Sequence, residues 1–376
     1  METLSNSYVN INNEDINYIN QSLKNKVISW KWPFNDLYEK KIADYFWVEY
    51  SLSCSNGTIG ILMILIHLWL KEWDEVILPC TAPIMTVLPL LYLKIKPIFV
   101  DNIENSFFIS ISDLNKKITN NTKLVINVPM WWYANNIEEI ANLCKKRWIK
   151  LLEDNSHAHW TKIDNRNLWI FWDFSVYSTH ERKLITTWEW WFILVKNKKD
   201  YLKLMQLRSF WEAYDIDNEK LKWSYGLFFW LNFKLSSINA SIWITQLAKL
   251  DEKIEIRNKN AKYLLDNILP LNKEIKEVLS VDKSLNNYYS LALLVSEKNK
   301  KIIEQKLLEN NIISDPLRYK YCPLYDFPIV KNINWVNNDC YNSEQLINKI
   351  FTLPTHEWLT KQDLDNFISI IKKVYA

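Results

Sequence analysis

A chain of 376 residues with 3 glycines and 20 tryptophans has few positions at which its backbone can turn left-handed at no cost. An ordinary globular chain is about 7% glycine, roughly 26 residues at this length, and here glycine and tryptophan together come close to that figure. Judged by their neighbours, the tryptophans stand where glycine belongs. Lys71-Glu72-Trp73-Asp74-Glu75-Val76-Ile77 opens a strand at a turn residue, and Lys146-Arg147-Trp148-Ile149-Lys150 ends a helix at the position glycine usually takes. A tryptophan held left-handed strains the backbone by about 1–3 kcal/mol, and repetition over many sites would exceed the roughly 5–15 kcal/mol that holds a domain together. The expectation is that most of these tryptophans are glycines in the living protein, whose cell reads UGA as glycine where the translation reads tryptophan.

Bulk properties exclude several classes. With 46 Lys and Arg against 43 Asp and Glu, the net charge of +3 gives no reason to invoke nucleic acid or an anionic membrane. Cys54, Cys80, Cys144, Cys322 and Cys340 are scattered without CxxC spacing, so neither a disulfide framework nor a metal site is indicated, and a reducing cytoplasm fits. The first residues show no secretory signal, and the apolar run Ile59–Leu70 is too short to span a bilayer.

Apolar spacing predicts helices over Asn13–Lys24 and Asn35–Phe46, after which strand and helix alternate. Strands are expected at Ser51–Cys54, Glu75–Leu78, Pro97–Val100, Leu124–Val128, Lys150–Leu152, Phe174–Tyr177 and Phe192–Val195, with helices at Thr58–Leu70, Thr86–Leu93 and Ile137–Lys146. That alternation predicts an α/β fold, a central mostly parallel sheet flanked by helices. A long helix over Gln246–Ile268 would lead into a smaller C-terminal α+β domain, dividing the chain into 1–247 and 248–376. Strand candidates near Tyr288–Val295 and helices at Lys300–Glu309 and Gln362–Val374 belong to the second part.

Three segments carry chemistry. Glu153-Asp154-Asn155-Ser156-His157 places a carboxylate at a strand's carboxyl end, where open α/β sheets bind ligands. Ser178-Thr179-His180-Glu181-Arg182-Lys183 follows the next strand, and Ser55-Asn56-Gly57-Thr58 leads into a helix whose N-terminus suits a phosphate. With Trp30-Lys31-Trp32-Pro33, His157-Ala158-His159-Trp160, Thr186-Thr187-Trp188-Glu189-Trp190-Trp191 and Leu353-Pro354-Thr355-His356, these segments resemble the DegT/DnrJ/EryC1/StrS family of pyridoxal-phosphate-dependent sugar aminotransferases. The match improves when Trp is read as Gly, giving Gly-Lys-Gly-Pro, His-Ala-His-Gly and Thr-Thr-Gly-Glu-Gly-Gly.

The resemblance implies a type I pyridoxal-phosphate fold, like that of aspartate aminotransferase, in a homodimer with shared active sites. It makes Lys183 the amine that bonds to the cofactor and then carries protons, where a solvated surface lysine is the alternative. Asp154 becomes the partner of the pyridine nitrogen rather than a strand-end turn residue. His157 would contact the cofactor's 3′-oxygen, with a structural hydrogen-bonded histidine as its rival. Gly57, Thr58 and Ser178 would hold the phosphate, joined by Asn232 from the neighbouring subunit; His180 would lie toward the sugar or in an exposed loop. Two positions depart from the family: Thr81-Ala82-Pro83 offers no ring to cover the pyridine, and Lys234 stands where arginine is frequent.

The function so implied is transfer of an amino group, from glutamate, to a keto group of a nucleotide-linked deoxysugar for surface polysaccharide or glycan synthesis, with no metal. A sugar dehydratase of the same family typically has histidine in place of the lysine, and a cyclitol aminotransferase is a further alternative. A non-catalytic glycan-binding protein would instead require the tryptophans to be real.

Overall fold

The computed structural model describes residues 3–5, 8, 11–26, 28, 34–133, 135–159, 162–163, 166–167, 173–181, 183–187, 191–209, 232–281, 284–333 and 335–376. Helix α1 (Asn13–Lys24) begins on a reciprocal cap: the Asn12 side chain accepts from the backbone N–H of Glu14 and Asp15, and the Asp15 carboxylate accepts from Asn12 N at 2.8 Å. The buried Asp15 also accepts from Gln246 Nε2 at 3.2 Å and Lys249 Nζ at 3.1 Å, which ties α1 to a segment more than two hundred residues away.

After α2 (Phe34–Phe46) the chain runs β1 (Tyr50–Cys54), α3 (Gly57–His67), β2 (Glu75–Pro79), α4 (Ile84–Tyr92), β3 (Lys96–Val100), α5 (Ile111–Lys117), β4 (Thr122–Asn127), α6 (Ile137–Arg147) and β5 (Lys150–Asp154). Two short strands, β6 (Lys162–Ile163) and β7 (Arg166–Asn167), precede β8 (Phe174–Ser178), β9 (Trp191–Val195) and α7 (Lys198–Arg208). The main sheet has seven strands in the order β1-β9-β8-β5-β4-β2-β3, and β9 alone runs against the rest. Successive side chains of a strand point to opposite faces. Ile77, Val125, Leu151 and Leu194 therefore enter one core with α2 and α6, while Val76, Leu124, Leu152 and Ile193 enter another with α3 and α4. A sheet covered on both faces has strands that are apolar throughout, which is why short apolar runs predicted them.

Helices α8 (Ser237–Ala248) and α9 (Leu250–Ile268) replace the single helix expected from Gln246. The first begins nine residues earlier than Gln246, in a stretch that is apolar on most sides and so lacks helical periodicity. Beyond them lie β10 (Lys276–Glu277), β11 (Ser284–Leu285), β12 (Leu291–Leu294) and β13 (Ile350–Leu353). Strands β10, β12 and β13 form a second sheet whose Leu291, Leu293, Phe351 and Leu353 pack with Leu264 and Ile268 of α9 and with Phe367 and Ile371 of helix Lys361–Tyr375. Strand β11 pairs with β6, so the C-terminal part reaches back over the segment that follows β5.

Among the described residues, Trp47, Trp69, Trp73, Trp131 and Trp148 have φ of 55°, 55°, 74°, 49° and 59°. Trp73 and Trp148 are the two positions at which the sequence calls for a left-handed residue. Trp47, Trp69 and Trp148 all stand just past the ends of helices, at α2, α3 and α6. No helix among the described residues is long and apolar enough to cross a membrane.

Candidate active site

Strands β5 and β8 lie side by side and parallel, with Asp154 paired in register to Val176, so Asp154 and Ser178 come to the same carboxyl edge of the sheet. Asp154 is buried. Its Oδ2 accepts from Thr86 Oγ1 at 2.9 Å, and its Oδ1 accepts from the Ser156 hydroxyl and from Ser156 N at 3.2 Å. Burial raises the Asp154 pKa, while these donors and the charge of Lys183 pull it back down.

Lys183 sits on a loop that is closed at its base. Thr187 N donates to Thr179 O at 2.8 Å, and the two threonine hydroxyls lie 2.6 Å apart. The loop is fastened from outside as well: Asn239 Nδ2 of α8 donates to Thr187 O at 2.9 Å, and Lys253 Nζ of α9 donates to Leu184 O at 3.0 Å. The Lys183 ammonium stands 5.1 Å from the centroid of the Tyr289 ring, within cation–π range. His157 also meets that ring, stacked on Tyr289 with centroids 4.8 Å apart and planes 12° apart.

His157 Nδ1 accepts from Trp131 N at 3.3 Å, which requires that nitrogen to be unprotonated. Burial first, and then the charges of Lys183 and His159, hold the His157 pKa well below its ordinary value. The neighbouring His159, buried and facing the same ammonium, is pushed down to about 3. Lys183 also acts on the buried Asp315, whose Oδ2 accepts from Ser290 Oγ at 2.6 Å. The charge of one amine thus reaches Asp154, His157, His159 and Asp315, and the first two are residues that the family resemblance places against the cofactor.

Gly57 opens α3 behind the N-cap Asn56, whose Oδ1 accepts from Ile59 N at 2.9 Å. Thr58 lies in the same first turn, and Ser178 Oγ accepts from His180 N at 3.3 Å. The space over Gly57 is filled by the ring of Trp191: a Cβ built on Gly57 would lie 2.1–2.2 Å from its atoms. Asn232 is exposed; the segments Trp30–Pro33, Trp160 and Trp188–Trp190 lie outside the described residues. Among the described residues no group of three or more His, Cys, Asp or Glu side chains is placed to hold a metal ion.

Sequence reasoning missed Thr86, Tyr289, Asn239 and Lys253. For Thr86 a signal existed, since a hydroxyl in the first turn of a helix that follows a strand end faces the ligand edge of such a sheet. The residues fit a pyridoxal phosphate at its ring end, where a buried acid held by two hydroxyl donors suits a protonated pyridine nitrogen and an amine stands nearby. At the phosphate end, the Trp191 ring crowds the helix start.

Residues 9–372 match the DegT/DnrJ/EryC1/StrS aminotransferase family. Among curated relatives, the GDP-perosamine synthase of Escherichia coli O157:H7 is 27% identical over 331 residues, covering 85% of this chain and 87% of its own length. The dTDP-4-amino-4,6-dideoxy-D-glucose transaminase of Shigella dysenteriae is 26% identical over 96% of this chain and 95% of its own. Among solved structures, the Escherichia coli GDP-4-keto-6-deoxy-D-mannose-3-dehydratase with bound hydrated pyridoxal phosphate superposes with a TM-score of 0.85 at 21% identity, over 99% of this chain and 100% of its own.

Proposed function

This chain belongs to the DegT/DnrJ/EryC1/StrS aminotransferase family, and from that premise we propose that it moves an amino group from glutamate to the keto carbon of a nucleotide-linked deoxysugar. It is a pyridoxal-phosphate-dependent aminotransferase with an α/β fold of the type I class. The curated relatives' names, a GDP-perosamine synthase and a dTDP-aminosugar transaminase, support a nucleotide sugar as the acceptor and glycan synthesis as the purpose.

Bound at this site, pyridoxal phosphate supplies an electron sink for the carbon that loses or gains a proton. Lys183 Nζ takes the proton from the donor's α-carbon and returns it to the product, a task that requires an amine able to become neutral. Asp154, whose carboxyl accepts from Thr86 and Ser156 against the effect of burial, would pair with the ring nitrogen. His157, neutral and pinned by Trp131 N, offers its other nitrogen to the cofactor's 3′-oxygen. Gly57, Thr58 and Ser178 supply backbone N–H and hydroxyl donors to the phosphate. Asn232, exposed on its own chain, reaches the phosphate of a second copy, which makes the working unit a homodimer. The protein works in the cytoplasm, and its C-terminal part from residue 248, with the second sheet and core, forms a smaller domain.

The observation that supports this reading is that the Lys183 amine stands 5.1 Å from the Tyr289 ring on which His157 stacks, in the segment after β8, whose neighbour β5 ends in the buried Asp154. Purified protein incubated with glutamate and a panel of nucleotide-linked keto-sugars should yield 2-oxoglutarate and an amino-sugar, and Lys183→Ala should yield neither. Loss of a hydroxyl from the sugar without amine transfer would point to the dehydratase instead.

A further inference from the structure

We propose that the molecule made by its own cell carries glycine at positions 47, 69, 73, 131 and 148, and also at 191. Half of the ten tryptophans among the described residues lie at positive φ, a region that few residues other than glycine enter and in which a bulky side chain is an outlier. The remaining positive-φ residues, Lys26, Lys94, Asn105, Tyr288, Asn311 and Lys320, show no such concentration in one residue type.

The settings of positions 47, 69, 73 and 148 are those of glycine, while Trp131, buried against Phe107 and Tyr321, joins them by its backbone conformation alone. Trp47, Trp69 and Trp148 follow helix ends, where the left-handed residue closes the last turn; Trp148 N donates to Lys145 O at 3.3 Å and Trp69 N to Ile66 O at 3.0 Å. Trp73 turns the chain into β2. These four residues are 86%, 83%, 96% and 58% exposed for 47, 69, 148 and 73; Trp73 makes an edge contact with Trp335 at 6.0 Å between centroids, and indoles so exposed do little to offset the backbone strain. Scattered over the helix ends and turns of the fold, they follow backbone conformation rather than a common surface, as a ligand-binding aromatic patch would not.

Position 191 is a separate case that rests on the proposed function. Its backbone is ordinary strand, but its ring fills the space above Gly57. Glycine at 191 clears that space for the phosphate. Reading UGA as glycine accounts for all six positions together and for a chain that has 3 glycines and 20 tryptophans.

The test is peptide sequencing by tandem mass spectrometry on protein purified from the source cells. Fragments spanning 69–73 and 148 should carry glycine, each with the same mass deficit against tryptophan; tryptophan in those fragments overturns the proposal whether or not the protein is a transaminase. As a second measurement, a recombinant chain with Trp47→Gly, Trp69→Gly, Trp73→Gly and Trp148→Gly should melt several degrees above the tryptophan form, and an unchanged or lower Tm would overturn the backbone argument. Glycine in the native fragments alongside a protein that transfers no amine would leave this inference standing and remove the functional one.

Discussion

Thr86 Oγ1 donates to Oδ2 of Asp154 at 2.9 Å, linking the first turn of α4 to the end of β5 across 68 residues of sequence. The bond offsets part of the burial that raises the Asp154 pKa. Thr86→Val keeps the shape and removes the donor, at a cost of about 1.5–3 kcal/mol for a hydrogen bond to a charged group. Its pyridoxal phosphate affinity, read by titrating the visible absorption of the bound cofactor, should fall tenfold or more. An affinity equal to that of the parent would show that Thr86 has no part in holding the acid ionised.

Trp191→Gly should act in the opposite direction. Clearing the ring from above Gly57 gives the phosphate access to the helix N-terminus, and cofactor affinity should rise by about tenfold, or about 1.4 kcal/mol. Calorimetric titration with pyridoxal phosphate measures it. Weaker binding by the glycine variant would mean that the indole supports the cofactor.

Glu153, next to Asp154 but buried on the other side of the strand, has its pKa raised to about 8 by burial. The folded chain therefore holds a proton at this carboxyl that the unfolded chain has released above about pH 4.5. Stability is full below that value and declines as pH rises toward 8. Glu153→Gln, which mimics the protonated form, should stabilise the protein at pH 8 by an amount on the order of a few kcal/mol and flatten the decline. Urea unfolding at pH 5, 6.5 and 8 would reveal this, and parallel slopes for the two proteins would refute it.

Lys253 has the opposite sign. Burial lowers its pKa from 10.5 to about 8, so between those values the unfolded chain binds the extra proton and stability increases with pH. Lys253→Met should abolish that increase. Because Lys253 Nζ donates to Leu184 O beside Lys183 and to Gln246 Oε1 at 2.9 Å, the variant should also lower kcat with KM nearly unchanged and shift the pH at which the cofactor's visible band titrates. A variant that changed only stability would make Lys253 purely structural.

The seven strands of the main sheet were legible because most are short apolar runs set between polar turns, whereas β6, β7, β10, β11 and β13 were not expected; Asp154, His157 and Lys183 were expected from the family resemblance of segments that follow strand ends. Tyr289 was not expected, since its role depends on contacts with Lys183 and His157 that no local pattern encodes, and Thr86 was missed although its place in the first helical turn after a strand end was a signal. The start of α8 was hidden for a different reason. Ile238, Ile242, Trp243 and Ile244 are spread around the helix among Ser237, Asn239, Ser241 and Thr245, and a helix apolar on most sides has no clear amphipathic rhythm to detect. Short α5 was also missed, although Ser110 Oγ caps it by accepting from Asp113 N at 3.3 Å.

The Thr179–Thr187 loop owes its posture to Asn239 and Lys253, which arrive more than fifty residues later in the chain. A fragment ending before α8 would keep the acid and the amine in their covalent order but lose both external fasteners, leaving the nucleophile on an unbraced tether. Dividing this molecule into working pieces would therefore call for complementation by the second half, not simple truncation of it.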